Sequence, residues 1–211
     1  MARQKRLRFA DLEKMGNVVD GRHPEPDWFE RAFRLKESVV LELGCGRGEY
    51  TLALARSRPD RGVLGVDRNG SRLWKGARKA LEEGLTNAFF LRSPVEHLED
   101  HVPPGVVGEI WLPFPDPLPK NRQAGHRLVS PLFLERYRRV LSLGGAVHLK
   151  TDNVDLVDFA EQAVRAVGGR VLEGAKRPIG DGDDLTAVQT TFEQRYRGEG
   201  RIIYDRTFCL D

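Results

Sequence analysis

Val39-Val40-Leu41-Glu42-Leu43, four apolar residues interrupted by one acid, runs straight into Gly44-Cys45-Gly46-Arg47-Gly48. Tyr50, Leu52, Ala53, Leu54 and Ala55 then continue with helical composition until Pro59. A strand, a glycine turn and a helix in immediate succession form the opening of an α/β unit. Glycine lets the backbone turn tightly and lets another group approach without meeting a Cβ. Such turns also occur for packing alone, so the surrounding residues have to decide. A second apolar run, Val63-Leu64-Gly65-Val66, ends on Asp67. An acid at the end of the second strand can accept hydrogen bonds from ribose hydroxyls; the alternative is a helix N-cap for the segment starting near Ser71.

Strands are expected at 39–43, 63–67, 88–91, 109–114 and 145–150, with a final one at 202–208. Helices are expected at 48–57, 70–83, 131–142 and 153–167. This alternation specifies a mainly parallel sheet covered on both faces. Ser130 and Pro131 read as the N-cap and first residue of one helix. Gly168-Gly169 ends the next. Thr190 three residues before Glu193 reads as a capping box, and 174–186 as a glycine- and aspartate-rich loop. The 211 residues, 40% hydrophobic, suit one large α/β domain over 38–211, preceded by a basic arm and a first helix over 1–37. Met1 to about Gly21 is polar and carries Arg3, Lys5, Arg6 and Arg8, which read either as a solvated tail or as an RNA-contacting arm.

The net charge is only +3, but 34 Lys plus Arg and a pI near 9.0 leave room for a basic face. No apolar run is long enough for a membrane span, and the N-terminus lacks the apolar core of a secretory signal. Cys45 and Cys209 make no disulfide framework, and no Cys/His spacing reads as a metal site. The expectation is a cytoplasmic protein, monomer or homodimer, without metal.

A second informative segment is Glu109-Ile110-Trp111-Leu112-Pro113-Phe114-Pro115-Asp116-Pro117-Leu118-Pro119-Lys120. An apolar strand stops and a proline-stiffened turn presents one carboxylate and then one lysine. Each proline fixes φ and removes a backbone donor, so the segment continues neither sheet nor helix. A rigid acidic turn at the carboxyl end of a strand suits a chemical site. The first turn narrows the ligand. The dinucleotide pattern has no acid inside the strand before its first glycine, and a carboxylate there suits a pyrophosphate poorly. Glu42-x-Gly44-x-Gly46-x-Gly48 suits a cationic ligand such as S-adenosylmethionine. The chain thus resembles a class I methyltransferase more than a dehydrogenase.

Taken in order, LELGCGRGEYT, LGVDRNGSRLWKGA, FPDPLPKNR, HLKTDN and TTFEQR resemble the tRNA (guanine-N7)-methyltransferase family from about Ser38 to Phe208. The last three motifs separate this family from class I methyltransferases in general. The resemblance implies a Rossmann-like α/β fold with a mainly parallel seven-stranded sheet and helices on both faces. It implies S-adenosylmethionine as cofactor, held by Glu42, Gly44, Gly46 and Asp67, with Asp116 also contributing. Ser93 stands where the family has an acid or amide against the cofactor's base. Asp116 matches the catalytic or guanine-positioning acid. Lys120, Asp152, Thr190 and Glu193 match substrate-binding positions for tRNA. Leu118 departs from a tryptophan common in the family, and 121–127 is less basic than usual.

The implied chemistry needs little from a base. Guanine N7 has a free lone pair and attacks the methyl group without first losing a proton, which agrees with the lack of a His/Asp or Cys/His pair near Asp116. His148 reads as a structural strand residue. Two other readings stay open from sequence. One is a class I methyltransferase for a small molecule or protein, and the other a non-catalytic RNA-binding subunit. Glycine spacing argues against a dinucleotide oxidoreductase.

Overall fold

Alternating buried strands and helices are present in both halves of the chain. The computed structural model describes residues 8–34, 36–172, 188 and 190–211, so Arg3, Lys5, Arg6 and the 174–186 loop lie outside the described residues. The chain divides into two compact units, 1–103 and 104–211.

The first unit runs β1 (Val18–Asp20), α1 (Trp28–Phe33), β2 (Val39–Leu43), α2 (Glu49–Ser57), β3 (Gly62–Val66), α3 (Gly70–Glu82) and β4 (Ala88–Arg92). Its strands lie in the order β1-β4-β3-β2, and the β1–β4, β4–β3 and β3–β2 pairs are all parallel. Every residue of β2 and β3 is buried, as expected of parallel strands covered on both faces. Several glycines here are packing residues. A Cβ on Gly65 would stand 2.6 Å from the Thr51 hydroxyl, and one on Gly48 would stand 2.6 Å from the Phe90 ring. These close approaches set α2 tightly against the sheet.

Residues up to Gly21 read from sequence as a polar arm, but Val18–Asp20 is a strand pairing with β4 in register Val18↔Phe90. Its two valines supply β-branched side chains to an edge position. Asp20 closes that edge with ion pairs to Arg22 and Arg92.

The second unit runs β5 (Val107–Pro113), α4 (Pro131–Val140), β6 (Leu141–Thr151), α5 (Val154–Ala166), β7 (Arg170–Val171), α6 (Thr191–Gly198) and β8 (Tyr204–Cys209). Its order is β5-β6-β8-β7, with β5 and β6 parallel and the β6–β8 and β8–β7 pairs antiparallel. The described residues therefore contain eight strands against the seven expected, and both β1 and β7 are very short. The α4 helix ends at Val140 and β6 begins at once, because Leu141 already pairs with Val107. Ser130 precedes α4 as expected, but its hydroxyl donates to the Gly125 carbonyl and makes no cap bond.

Candidate active site

Gly44, Gly46 and Gly48 all adopt positive φ, at 74°, 55° and 69°, the left-handed region in which a Cβ is costly. Their surroundings differ. A Cβ on Gly46 would meet nothing closer than the Gly44 carbonyl at 3.9 Å, so Gly46 faces open space, whereas Gly48 is closed off by Phe90. Asp67 ties this turn to the next. One of its oxygens accepts from the Gly46 amide at 2.8 Å and the other from the Asn69 amide at 2.6 Å. Asp67 is not the N-cap of α3. That role falls to Asn69, whose side chain accepts from the Arg72 amide.

Glu42 is 3% exposed at the carboxyl end of β2. The N-cap position of α2 is Gly48, which has no side chain to offer. Glu42 supplies the missing acceptor from the strand: its carboxylate takes the Thr51 amide at 2.6 Å and also the Thr51 hydroxyl. Burial pushes this carboxyl up from 4.5 to about 8, against the pull of the two Thr51 hydrogen bonds. Burial likewise raises the Cys45 thiol. Ser93 is buried, its hydroxyl donating to the Pro94 carbonyl at 3.2 Å, with Gly21 backed against its Cβ. The first unit thus offers an open glycine turn flanked by the carboxyls of Glu42 and Asp67. That donor set fits a ligand carrying a cation and ribose hydroxyls.

In the second unit the proline turn begins where β5 ends. Phe114 (φ 50°) and Leu118 (φ 43°) are non-glycine residues in the left-handed region, one on each side of Asp116. Each is a costly conformation that surrounding contacts must enforce, and such residues gather at functional sites. The contacts are visible. The Phe114 amide donates to the Lys150 carbonyl at 2.7 Å, and its ring lies 5.7 Å from Tyr196. The Leu118 carbonyl accepts from Arg127 Nε at 3.3 Å and from its Nη2 at 3.1 Å, and the same guanidinium sits 4.3 Å over Phe159. Asp116, held between these points, is exposed and has no hydrogen-bond or ion-pair partner among the described residues. Lys120 is exposed at the start of a 3₁₀ turn, Asn121–His126.

Asp152 follows β6 and pairs with Arg201 at 2.7 Å; Arg201 also reaches Glu199 and lies 4.6 Å over Tyr196. Thr190 caps α6, its hydroxyl accepting from the Glu193 amide at 3.2 Å. Only this half of the expected capping box forms. Instead of returning to Thr190, the Glu193 carboxylate takes Lys150 Nζ at 2.7 Å on one oxygen and Arg197 at 2.9 Å on the other. Glu193 is 0% and Lys150 1% exposed. Asp205, half-buried, stands opposite Lys150 on β8 and adds a second carboxyl beside the buried pair. Burial there holds the Lys150 ammonium below its usual range and raises the Asp205 carboxyl.

Arg127, Arg195, Arg197 and Arg201 are among the cations that a basic face could draw on. The structure engages each of them inside the second unit: Arg127 on Leu118, Arg195 on Glu199, Arg197 on Glu193 and Arg201 on Asp152. Lys120 and Arg122 are exposed. The roles of Lys150, Tyr196 and Arg127 were missed. A lysine inside the apolar run of β6 was the one available signal, since a strand of this kind rarely buries an unpaired charge. Among the described residues no group of His, Cys, Asp and Glu could hold a metal, and no helix is long and apolar enough to cross a membrane.

Comparison with known proteins gives the family. A family model described as "Putative methyltransferase" matches residues 36–206. A tRNA (guanine-N(7)-)-methyltransferase of Christiangramia forsetii is 37% identical over 215 residues, spanning 96% of this chain and 96% of that protein. The chain belongs to the tRNA (guanine-N(7)-)-methyltransferase family. A member from Porphyromonas gingivalis is 38% identical over 87% of this chain and 75% of its own length. The fold is the Rossmann-like α/β fold of class I methyltransferases, and solved structures share it. The 16S rRNA methyltransferase KamB superposes with a TM-score of 0.69 over 92% of this family member and 98% of KamB, at 19% identity. A mutant of the 16S rRNA (adenine(1408)-N(1))-methyltransferase from Catenulisporales acidiphilia, solved with cosubstrate SAM, gives 0.64 over 90% of this chain and 93% of its own, at 17% identity. At such identities the likeness concerns the fold.

Proposed function

We propose that this protein methylates N7 of a guanosine in tRNA, using S-adenosylmethionine, and that it works in the cytoplasm. The observation that carries the reading is Asp116. In a chain 37% identical to a tRNA (guanine-N(7)-)-methyltransferase along nearly its whole length, it stands exposed on a turn pinned at Phe114 and Leu118. When bound, S-adenosylmethionine supplies an electrophilic methyl group on a sulfonium.

Glu42, Gly44, Gly46 and Asp67 are the residues that would hold this cofactor, with Ser93 against its base and Asp116 contributing. The open space at Gly46 and the two flanking carboxyls support that assignment. Asp116 orients the guanine edge. As N7 takes the methyl group, positive charge grows on the purine, and a fixed carboxylate offsets it without reorganising at the moment of reaction. No base is required, because N7 attacks through a lone pair. Most of the rate then comes from holding the base at attacking distance. Lys120 binds phosphate, and Asp152 and Thr190 face the guanosine.

The test is to incubate the purified protein with labelled S-adenosylmethionine and unmodified tRNA, digest the RNA and identify the labelled nucleoside. Label in 7-methylguanosine is expected. Label in another nucleoside, or transfer to ribosomal RNA but not tRNA, would overturn the reading.

A further inference from the structure

Three contacts meet at Lys150. Its main-chain carbonyl accepts the amide of Phe114, the residue at which the chain leaves β5 with positive φ to build the Asp116 turn. Its ammonium reaches Glu193 on the first turn of α6 at 2.7 Å and the Val188 carbonyl, just before α6, at 3.0 Å. One residue therefore fixes both the root of the turn and the seat of the helix. The helix returns to the same place. Tyr196 lies three residues after Glu193, so the two side chains share a face of α6. The Tyr196 ring stands 5.7 Å from that of Phe114. Seating α6 through Glu193 thus decides where the ring that backs the turn stands.

An ion pair this deeply buried is a poor device for stability alone, because desolvating two charges offsets their attraction. Well-packed apolar residues often do as well. What such a pair does supply is one arrangement: Lys150 accepts no apolar substitute for Glu193 while its charge is buried. Both Glu193 oxygens are engaged by cations, and the residue has no exposed surface with which to meet a base.

We infer that Lys150 is a positioning residue for Asp116 and that Glu193 acts through Lys150 and α6 on the turn, not on the guanosine itself. The inference rests on the proposed reaction for its catalytic consequence, but the mechanical coupling stands apart from it.

The experiment is a double-mutant cycle on the full chain with Lys150→Met, Glu193→Met and the pair together. Turnover, KM for tRNA, cofactor affinity by calorimetry and hydrogen exchange across 112–118 are the readouts. Each single change strips a buried charge of its closest partner, leaving Glu193 with Arg197 alone, or Lys150 with Asp205 and the Val188 carbonyl. It should lower turnover by about tenfold or more, leave cofactor affinity within about threefold, and speed exchange in the turn. The double variant should recover turnover to within about threefold of the parent and restore slow exchange, because a neutral pair can pack where a charge stripped of its closest partner cannot.

If Glu193 touches the guanosine, the double variant will stay as slow as Glu193→Met while the turn exchanges as in the parent; that outcome overturns the inference. If either methionine variant fails to fold, Tyr196→Ala decides. Faster exchange in the turn and slower turnover at an unchanged melting temperature support the coupling, and parental exchange and rate refute it. Exchange is read without RNA. A parent that methylates no tRNA would therefore sink the proposed function while leaving the coupling separately tested.

Discussion

Glu42 carries two jobs that pull in opposite directions. As the remote cap of α2 it is held by the Thr51 amide and hydroxyl, and as a carboxyl inside β2 it is desolvated enough to titrate near 8. In the unfolded chain it titrates near 4.5. The folded state therefore holds the proton more tightly, and its contribution to stability falls as pH rises from 4.5 to about 8. Glu42→Gln keeps an acceptor for Thr51 but removes the charge. Its melting temperature should lie above the parent's at about pH 8, with the difference shrinking toward about pH 5. Equal pH profiles would show that Glu42 does not titrate in this window. A cationic ligand beside Glu42 would favour the ionised form, so cofactor binding near pH 7 should release protons, seen as a buffer-dependent binding enthalpy absent in Glu42→Gln. Asp116 is the contrasting case, exposed and without a partner among the described residues. Asp116→Asn should leave the melting temperature unchanged while turnover at saturating tRNA drops at least about tenfold, roughly 1.4 kcal/mol of transition-state stabilisation. Parental turnover in that variant would remove Asp116 from the chemistry.

The turn between β5 and the 3₁₀ segment is the element on which the proposed chemistry depends, and it is held at both ends. Left-handed backbone at a non-glycine residue costs about 1–3 kcal/mol, so Phe114 and Leu118 keep their conformations only while their restraints hold. Arg127 is the restraint at Leu118. Arg127→Met retains packing over Phe159 but loses both hydrogen bonds to the Leu118 carbonyl. A displaced turn should cost turnover about tenfold or more with tRNA affinity nearly unchanged. A variant that instead lost affinity at parental turnover would place Arg127 on the RNA. These elements were unequally legible in sequence. The strand, glycine turn and helix from Val39 to Ser57 were, because period and glycine spacing are local signals. The proline turn was legible as rigid and acidic for the same reason. Its restraints were not, since Lys150 and Tyr196 act on a residue far along the chain, and Arg127 reaches back to Leu118 across a turn that carries no periodic signal. Glu193 misled for a related reason: the spacing to Thr190 suggested a capping box, and only the fold brings Lys150 to the carboxylate. Val18–Asp20 was hidden because three residues are too few to show a period.

For the molecule as a whole, a pI near 9.0 overstates the charge available to a polyanion. Beyond the four arginines already engaged in the second unit, Arg22, Arg31, Arg56, Arg78, Arg138 and Arg165 are each matched to a neighbouring acid. A guanidinium already matched to a carboxylate contributes little net field, so phosphate binding should rest on fewer, locally placed cations. Lys120 and Arg122, exposed beside the Asp116 turn, are the described residues best placed for it. Each phosphate neutralised releases counterions and steepens the fall of affinity with salt by about 0.7–0.9 in the double-logarithmic slope. Replacing Lys120 and Arg122 together by alanine should therefore weaken tRNA binding and make that slope shallower by about 1.4–1.8. Arg127→Met should leave the slope where it is, because that guanidinium holds the Leu118 carbonyl. Filter-binding titrations of the parent and both variants across several salt concentrations separate the two kinds of cation. A slope flattened equally by Arg127→Met would mean that the second unit's internal arginines reach the RNA after all. A parental slope near zero would remove phosphate contacts from the account of binding and leave the base edge to supply it.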